Sequence, residues 1–304
     1  AYINNMWNVA IIGCGKISFG RNIYNNAYSF NHFDIVNSHL SFKITCVSDY
    51  RDEVLAKLNK YKEIKKYKNY KNLLKFNKID LVIIATNSEN HLNIIKEVNK
   101  KKIKTALVEK PLSNNIRELS SLVSLKSEIK TKIIVNYQRR FSNFFKKNKK
   151  NITKKSIKKI KVNYSRGLFN NGSHFIDLFI WYFGLPLKII KKKKILQIKN
   201  DFICNFILDY NGFKIQFNGN NKKKFGNSFS IALKKRLIIY EKNLIKIYKK
   251  NLKNGKKILV EKYDDSDNII EVYNYLNLLL KNNVALKSSI NDSIKIHKVV
   301  KALI

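Results

Sequence analysis

Lys110 stands in Val108-Glu109-Lys110-Pro111-Leu112, directly after the apolar run Thr105-Ala106-Leu107-Val108. An ammonium group there projects where a buried strand gives way to a loop, which is where open α/β sheets bind ligands. Further along, Asn170-Asn171-Gly172-Ser173-His174-Phe175-Ile176-Asp177 sets His174 and Asp177 three residues apart, on one face of a helix. An imidazole carries a proton either way near neutral pH, so His174 is a candidate acid–base group with Asp177 on the same helix face. A histidine that merely caps a helix start would leave the same local signature. Gly13-Cys14-Gly15-Lys16-Ile17-Ser18 closes the apolar run Asn8 to Gly13. Its first glycine permits a tight turn, and its second lets backbone amides approach a pyrophosphate. Asp49 ends the run Phe42 to Ser48, where a carboxylate accepts hydrogen bonds from an adenosine ribose and repels a 2′-phosphate. Arg51, two residues on, is the group that would accept that phosphate. The pair leans toward NAD over NADP, although a strand-end aspartate also serves turns and helix caps.

These residues need strand ends to hold them. Asn8 to Gly13, Phe42 to Ser48, Ile79 to Ala85, Thr105 to Val108 and Lys132 to Asn136 read as strands. The near-continuous apolar character of Ile79 to Ala85 predicts a parallel strand covered on both faces. Helical spacing lies between them over Arg51 to Tyr61, His91 to Lys100 and Asn115 to Ile129, which predicts a doubly wound α/β domain over residues 1–141. Pro111 lacks the N–H that a sheet ladder needs, so it ends its strand and sends Glu109 and Lys110 into the following loop.

After Phe141 the texture changes. Phe144 to Lys159 is basic, with little periodicity, and reads as the exit from the first domain. Strand-like segments then follow in series from Ile160 to Tyr263, separated by turn signals such as Asn211-Gly212 and Asn254-Gly255, with one early helix over Ser173 to Phe183. Strands in series with few helices predict an α+β domain on a mainly antiparallel sheet, over residues 142–288. Ser289 is a plausible cap for a final helix, 289–304, expected to pack back on the first domain.

Taken together, the motifs resemble the glucose-fructose oxidoreductase/inositol dehydrogenase (Gfo/Idh/MocA) family. The resemblance rests on the fingerprint Gly13 to Ser18, Ala85-Thr86 through His91, Glu109-Lys110-Pro111, Tyr137-Gln138-Arg139-Arg140-Phe141, and Gly172-x-His174-x-x-Asp177 with Trp181 and Gly184. It implies a Rossmann domain followed by an open antiparallel sheet. It also implies an NAD(P)-dependent oxidoreductase acting on a secondary hydroxyl of a sugar, cyclitol or sugar nucleotide. On that resemblance Lys110 and His174 are catalytic, with Asn170 standing where many members have aspartate. Asp177, Arg140 and Tyr137 bind substrate, and Gly13, Gly15, Lys16, Ile17, Asp49, Arg51, Thr86, His91, Glu109 and Lys110 hold NAD or NADP. A homodimer or homotetramer is implied as well. The alternatives are a carbonyl or imine reductase on a non-sugar substrate, and a silent cofactor-binding regulator, which Asn170 keeps open.

The net charge of +40 suggests nucleic acid at first sight. Seven of the 61 basic residues are arginine, leaving 54 lysines. Specific phosphate recognition favours arginine, whose fork pairs bidentately, so this balance argues for compositional bias and against a dedicated nucleic-acid surface. No apolar run approaches the roughly 18 residues that span a bilayer. Three cysteines without metal spacing suit a reducing compartment, so a cytoplasmic protein without signal peptide or metal is expected. Any binding to polyanions should be non-specific. Retention on a DNA column at about 50 mM salt should be lost by about 200 mM, without preference between sequences.

Overall fold

The computed structural model describes residues 6–24, 30–198, 201–221, 226–250, 256–282 and 284–304. The Asn254-Gly255 turn signal lies outside the described residues. The chain divides into two compact units: Ala1–Ser113 with Ser120–Asn136 and Val272–Asn291, and Asn114–Leu119 with Tyr137–Glu271 and Asp292–Ile304.

In the first unit, β1 (Trp7–Ile12), β2 (Phe42–Ser48), β3 (Lys65–Tyr67), β4 (Leu81–Ile84), β5 (Thr105–Val108) and β6 (Lys132–Val135) form one parallel sheet in the order β3-β2-β1-β4-β5-β6. The winding reverses direction at β1 and β4, the position where open α/β sheets bind ligands. Val9 to Ile11, Leu81 to Ile84 and Ala106 to Val108 are fully buried, as a sheet covered on both faces requires. Helices α1 (Lys16–Phe19), α2 (His32–Ser38), α3 (Asp52–Lys57), α4 (Tyr70–Phe76), α5 (His91–Lys100) and α6 (Leu119–Glu128) alternate with these strands. Helix α2 has no apolar period long enough to read from sequence. Asn31 caps it by accepting from the Asp34 N–H at 3.0 Å.

The boundary expected at Phe141 falls at Asn136, and Tyr137, Arg140 and Phe141 are buried residues of the second unit. Nor does the second domain run unbroken to residue 288. Val272–Asn291 returns to the first unit, where Val135 N donates to Ser288 O at 2.7 Å and Ser288 Oγ donates to Val135 O at 2.6 Å. The final helix, expected on the first domain, belongs from Asp292 onward to the second unit. There Asp292 meets Arg140 at 3.2 Å, and the His297 ring lies 5.4 Å from that of Phe169.

The second unit is built on β7 (Ile157–Ser165), β8 (Lys188–Ile198), β9 (Asp201–Asp209), β10 (Lys214–Asn220), β11 (Ser228–Leu233), β12 (Arg236–Glu241), β13 (Leu244–Lys250) and β14 (Lys257–Asp264), which form one eight-stranded sheet in the order β14-β13-β12-β11-β7-β10-β9-β8. Its pairs are antiparallel except β7 with β10 (Lys214–Asn220). The stretch Phe144 to Lys159, expected as a basic exit with little periodicity, overlaps helix α7 (Asn143–Asn148). Ser142 caps it by accepting from Phe145 N at 3.3 Å, and lysines interrupt the periodicity that would have revealed it. Phe145 joins Phe175, Phe179, Phe229 and Tyr240 in one aromatic core, with Phe229 and Tyr240 stacked at 5.0 Å. Among the described residues, no helix is long and apolar enough to cross a membrane. Phe145 is fully buried, so Phe145→Ala should destabilise the protein by about 3–5 kcal/mol, measured by urea unfolding.

Candidate active site

The glycine turn follows β1. Gly13 has φ +94°, and a Cβ there would lie 2.7 Å from the Ala85 carbonyl oxygen, so both backbone conformation and space require glycine. Gly15 differs: a Cβ there would meet nothing within 4 Å. No described residue demands that glycine, and the open space is what a closely approaching ligand would fill. Ser18, standing where the fingerprint often has a third glycine, donates to Gly13 O at 2.5 Å and closes the turn. Helix α1 is a single turn, shorter than the fingerprint predicts, with Lys16 exposed and Ile17 half-buried. Burial, and secondarily Asp49, push the Cys14 thiol well above the usual range, so it is no nucleophile.

Asp49 is buried at the end of β2, and its Oδ2 accepts from Cys14 N at 2.8 Å. Arg51 grips the same carboxylate through Nε and Nη2, both at 2.8 Å. Burial works against ionisation of Asp49. The Arg51 side chain and the two backbone N–H groups outweigh it and hold the carboxyl below its ordinary range. Gly13, Gly15, Asp49, Arg51, Thr86 and Lys68 are among the residues lining one cavity of about 400 Å³. A glycine with open space beside it, an anionic carboxylate at the neighbouring strand end and a cavity of this size suit a dinucleotide.

Glu109 follows β5 and is fixed at both ends. Its N–H donates to Ile84 O at 2.9 Å, and its Oε1 accepts from Asn136 Nδ2 at 2.5 Å and faces His32 Nε2 at 3.1 Å. Lys110 comes next, half-buried, joined to Pro111 by a cis peptide bond. His91, expected at the cofactor, is buried instead. Its Nδ1 lies 3.1 Å from Pro111 O and its Nε2 3.1 Å from Thr86 O, so the neutral ring donates to one of these carbonyls and packs against the other. Burial lowers its pKa.

In the second unit, Gly167 (φ +103°) opens a π-helical turn over Leu168–Gly172, which runs into α8 (Ser173–Phe183). Asp201 accepts from the N–H groups of Phe169 at 2.9 Å and Asn170 at 3.0 Å, and so clamps the turn from a different strand. Asn170 is exposed beside the half-buried His174, whose ring sits edge-on to Tyr137 at 5.8 Å. The other substrate candidates lie inside. Tyr137 is buried, and burial pushes its hydroxyl well above the usual range. Arg140 and Asp177, expected at substrate, are 5% and 0% exposed and face each other, Nε to Oδ2 and Nη2 to Oδ1, both at 2.7 Å. Burial opposes the Arg140 charge, but Asp177 more than offsets it and raises the guanidinium above its ordinary value. Sequence patterning missed His32, Asn136, Tyr273 and Asp201. Only Asn136, which ends a predicted strand, had a signal that could have found it.

Residues 7–137 match the family described as "Oxidoreductase family, NAD-binding Rossmann fold" (GFO_IDH_MocA). No curated protein matches the chain in sequence. Among solved structures it is similar to a protein from Bacillus subtilis described as a putative oxidoreductase, with 18% identity over 98% of this chain and 96% of that one, at a TM-score of 0.78. One from Desulfitobacterium hafniense, described as a putative NADPH-dependent oxidoreductase, is 16% identical over 98% and 94%, at 0.80. A 3-ketoreductase from Actinomadura kijaniata, solved as a lysine-to-alanine variant with TDP-benzene and NADP, is 12% identical over 98% and 97%, at 0.77. At these identities the likenesses show a shared fold, over 98% of this chain.

The Arg140–Asp177 pair gives the site residues a test of structural role. Arg140→Met should destabilise the protein by about 3–5 kcal/mol in urea unfolding, because it strands a buried carboxylate. The double variant with Asp177→Leu should recover part of that loss.

Proposed function

We propose that the protein is an NAD(P)-dependent oxidoreductase that interconverts a secondary hydroxyl and a ketone on a sugar, cyclitol or sugar nucleotide. The observation that carries this reading is the placement of Lys110 directly after an anchored Glu109, at the sheet edge that also bears the Gly13 turn and Asp49. When bound, the nicotinamide supplies the acceptor or donor of a hydride at the carbinol carbon. The backbone from Gly13 through Ile17 would hold the pyrophosphate, with Lys16 contributing its ammonium, and Asp49 at the neighbouring strand end would face the adenosine ribose. The Asp49 anion disfavours a 2′-phosphate, and Arg51 is already committed to that carboxylate, so NAD is preferred over NADP. The Lys110 ammonium donates to the reacting oxygen and stabilises its anionic character as the carbon–oxygen bond changes order. His174 takes the hydroxyl proton on oxidation and returns it on reduction, while the Asn170 amide orients the hydroxyl. Support for a ketone or alcohol substrate comes from the similar 3-ketoreductase, and support for the cofactor from the family of residues 7–137.

The test is a screen of sugars, cyclitols and sugar nucleotides for NADH formation, together with NADH and NADPH binding by fluorescence. NADH should bind more tightly than NADPH. On any turned-over substrate, Lys110→Met should lower kcat/KM by about 10²–10³-fold and leave the NADH Kd within about threefold. Undiminished turnover in Lys110→Met would sink the mechanism. Cofactor binding without turnover across the whole panel would favour the silent regulator.

A further inference from the structure

In the second unit, the accessible residues at the start of α8 form one narrow stripe. From Gly167 to Ile180 every residue is buried except Asn170, which is exposed, and Asn171 and His174, which are half-buried. Exposed Arg166 comes just before, so Arg166, Asn170 and His174 follow one another at intervals of four, the spacing of neighbours on a helical face. One contact closes the first interval: Asn170 Nδ2 donates to Arg166 O at 3.3 Å. Ser165 is held in the same way, its carbonyl accepting from Asn171 Nδ2 at 2.8 Å and its N–H donating to Asn227 Oδ1 at 3.1 Å. On the other side, Gly167 lies against the Asp201 carboxylate. The backbone of Arg166 is thus anchored at its own carbonyl and at both neighbours, while its side chain reaches solvent.

Arg166 also holds φ +62°, a left-handed conformation in which glycine would be unstrained. Among the described residues, Lys102, Asn211, Lys242, Asn243 and Ser288 share a positive φ, so strain alone singles nothing out. The residue type does. The chain has seven arginines against 54 lysines, and three of the seven have tasks that suit a planar fork. Arg51 grips Asp49, Arg140 grips Asp177, and Arg139 lies over the Phe175 and Tyr240 rings at 4.8 and 5.2 Å. Among the described residues, no carboxylate forms an ion pair with the Arg166 guanidinium. We propose that Arg166 is a specificity-determining residue whose fork pairs with an oxyanion of the substrate, a phosphate or a carboxylate, while His174 meets the reacting hydroxyl. The inference rests on the role given to His174 above. A helical rise of about 1.5 Å per residue sets the Cα atoms of Arg166 and His174 roughly 12 Å apart, a span that one sugar ring with a charged substituent fills between the two side chains. The substrate is then a phosphorylated sugar, a sugar nucleotide or a sugar acid. A neutral sugar or cyclitol lacks the group that the fork reads, and a lysine here would supply charge without the paired, planar geometry.

Arginine labelling of the full chain with phenylglyoxal, followed peptide by peptide by mass spectrometry, reads Arg166 without cofactor or turnover. The medium holds about 150 mM salt to screen the chain's net charge. Glucose 6-phosphate and glucuronate, each at about 10 mM, are the probes, glucose is the neutral control, and exposed Arg236 is the internal control. One anion or both should slow labelling at Arg166 by about threefold relative to Arg236, while glucose slows neither. Protection by the one or the other tells phosphate from carboxylate. Equal slowing at both arginines, or none at Arg166, overturns the proposal. Arg166→Gly removes the fork at a φ that suits glycine, so its melting temperature should match or exceed that of the wild type. On an anionic substrate it should raise KM about tenfold and leave kcat within about threefold. Arg166→Lys should recover part of that KM, and KM for a neutral sugar should not move in either variant. An unchanged KM for the anionic substrate in Arg166→Gly also overturns the proposal. NADH binding and turnover by the wild-type protein are scored separately. Their absence would count against the proposed function and leave the labelling result standing.

Discussion

Ile12 pairs with both Ser48 and Ile84, Ile84 with Val108, and Val108 with Val135, so one ladder of backbone hydrogen bonds brings five strand ends level. The next residues are Gly13, Asp49, Ala85, Glu109 and Asn136, and they share an edge because of that register. A slip of one residue in any strand would turn its side chains to the opposite face and break the row. Burial on both faces resists such a slip, since every residue of β4 and β5 is 0–1% exposed. Each functional group of the first unit inherits its position from this pairing.

A level edge alone would leave mobile loops. In this protein, polar side chains tie the loops down from within. Asp49 holds the glycine turn through Cys14 N, Glu109 is held by Asn136 and faces His32, and His91 spans the carbonyls of Thr86 and Pro111. The second unit uses the same device independently. Asp201 clamps the π-helical turn that leads to His174, and Arg140 with Asp177 locks the middle of α8. Charge-assisted bonds of this kind are short and directional, so they fix geometry more tightly than apolar packing of the same atoms would.

What could be read from the chain beforehand follows from this division. Strand ends announce themselves where an apolar run meets glycine, aspartate or proline, and Gly13, Asp49 and Pro111 all sit at such junctions. The partners of those ends come from distant segments, and local patterning carries no trace of them. His32 lies in a short helix without a period, Tyr273 more than two hundred residues further on, and Asp201 at the start of a strand where it resembles any turn residue. Arg140 and Asp177 were legible as a pair of charges, but not as partners. A helix offers a buried face and a site face with the same periodicity, and burial decides between them. For Asp177 the interior wins.

The charge balance sharpens this reading. Against 61 lysines and arginines the chain has only 21 aspartates and glutamates, so any exposed carboxylate finds cations around it wherever it sits. Proximity of opposite charges on the surface therefore carries little information in this protein, and such exposed pairs contribute little to stability. A buried carboxylate is different, because each must recover its lost hydration from specific donors. Of the buried acids, Asp49 draws on backbone N–H groups and the Arg51 guanidinium and Asp177 on the Arg140 guanidinium, while the half-buried Asp201 and Glu109 draw on backbone N–H groups and on an amide with an imidazole beside it. Backbone, amide and guanidinium donors serve these four, although lysine is by far the commonest cation in the chain. A compositional drift toward lysine can coat a surface without disturbing such sites, because a flexible ammonium does not reproduce a fixed N–H or a planar fork. The lysine count thus describes the chain's outside, and the scarce buried acids mark where its structure is constrained. Lys110 differs from the other lysines in following one of those acids directly.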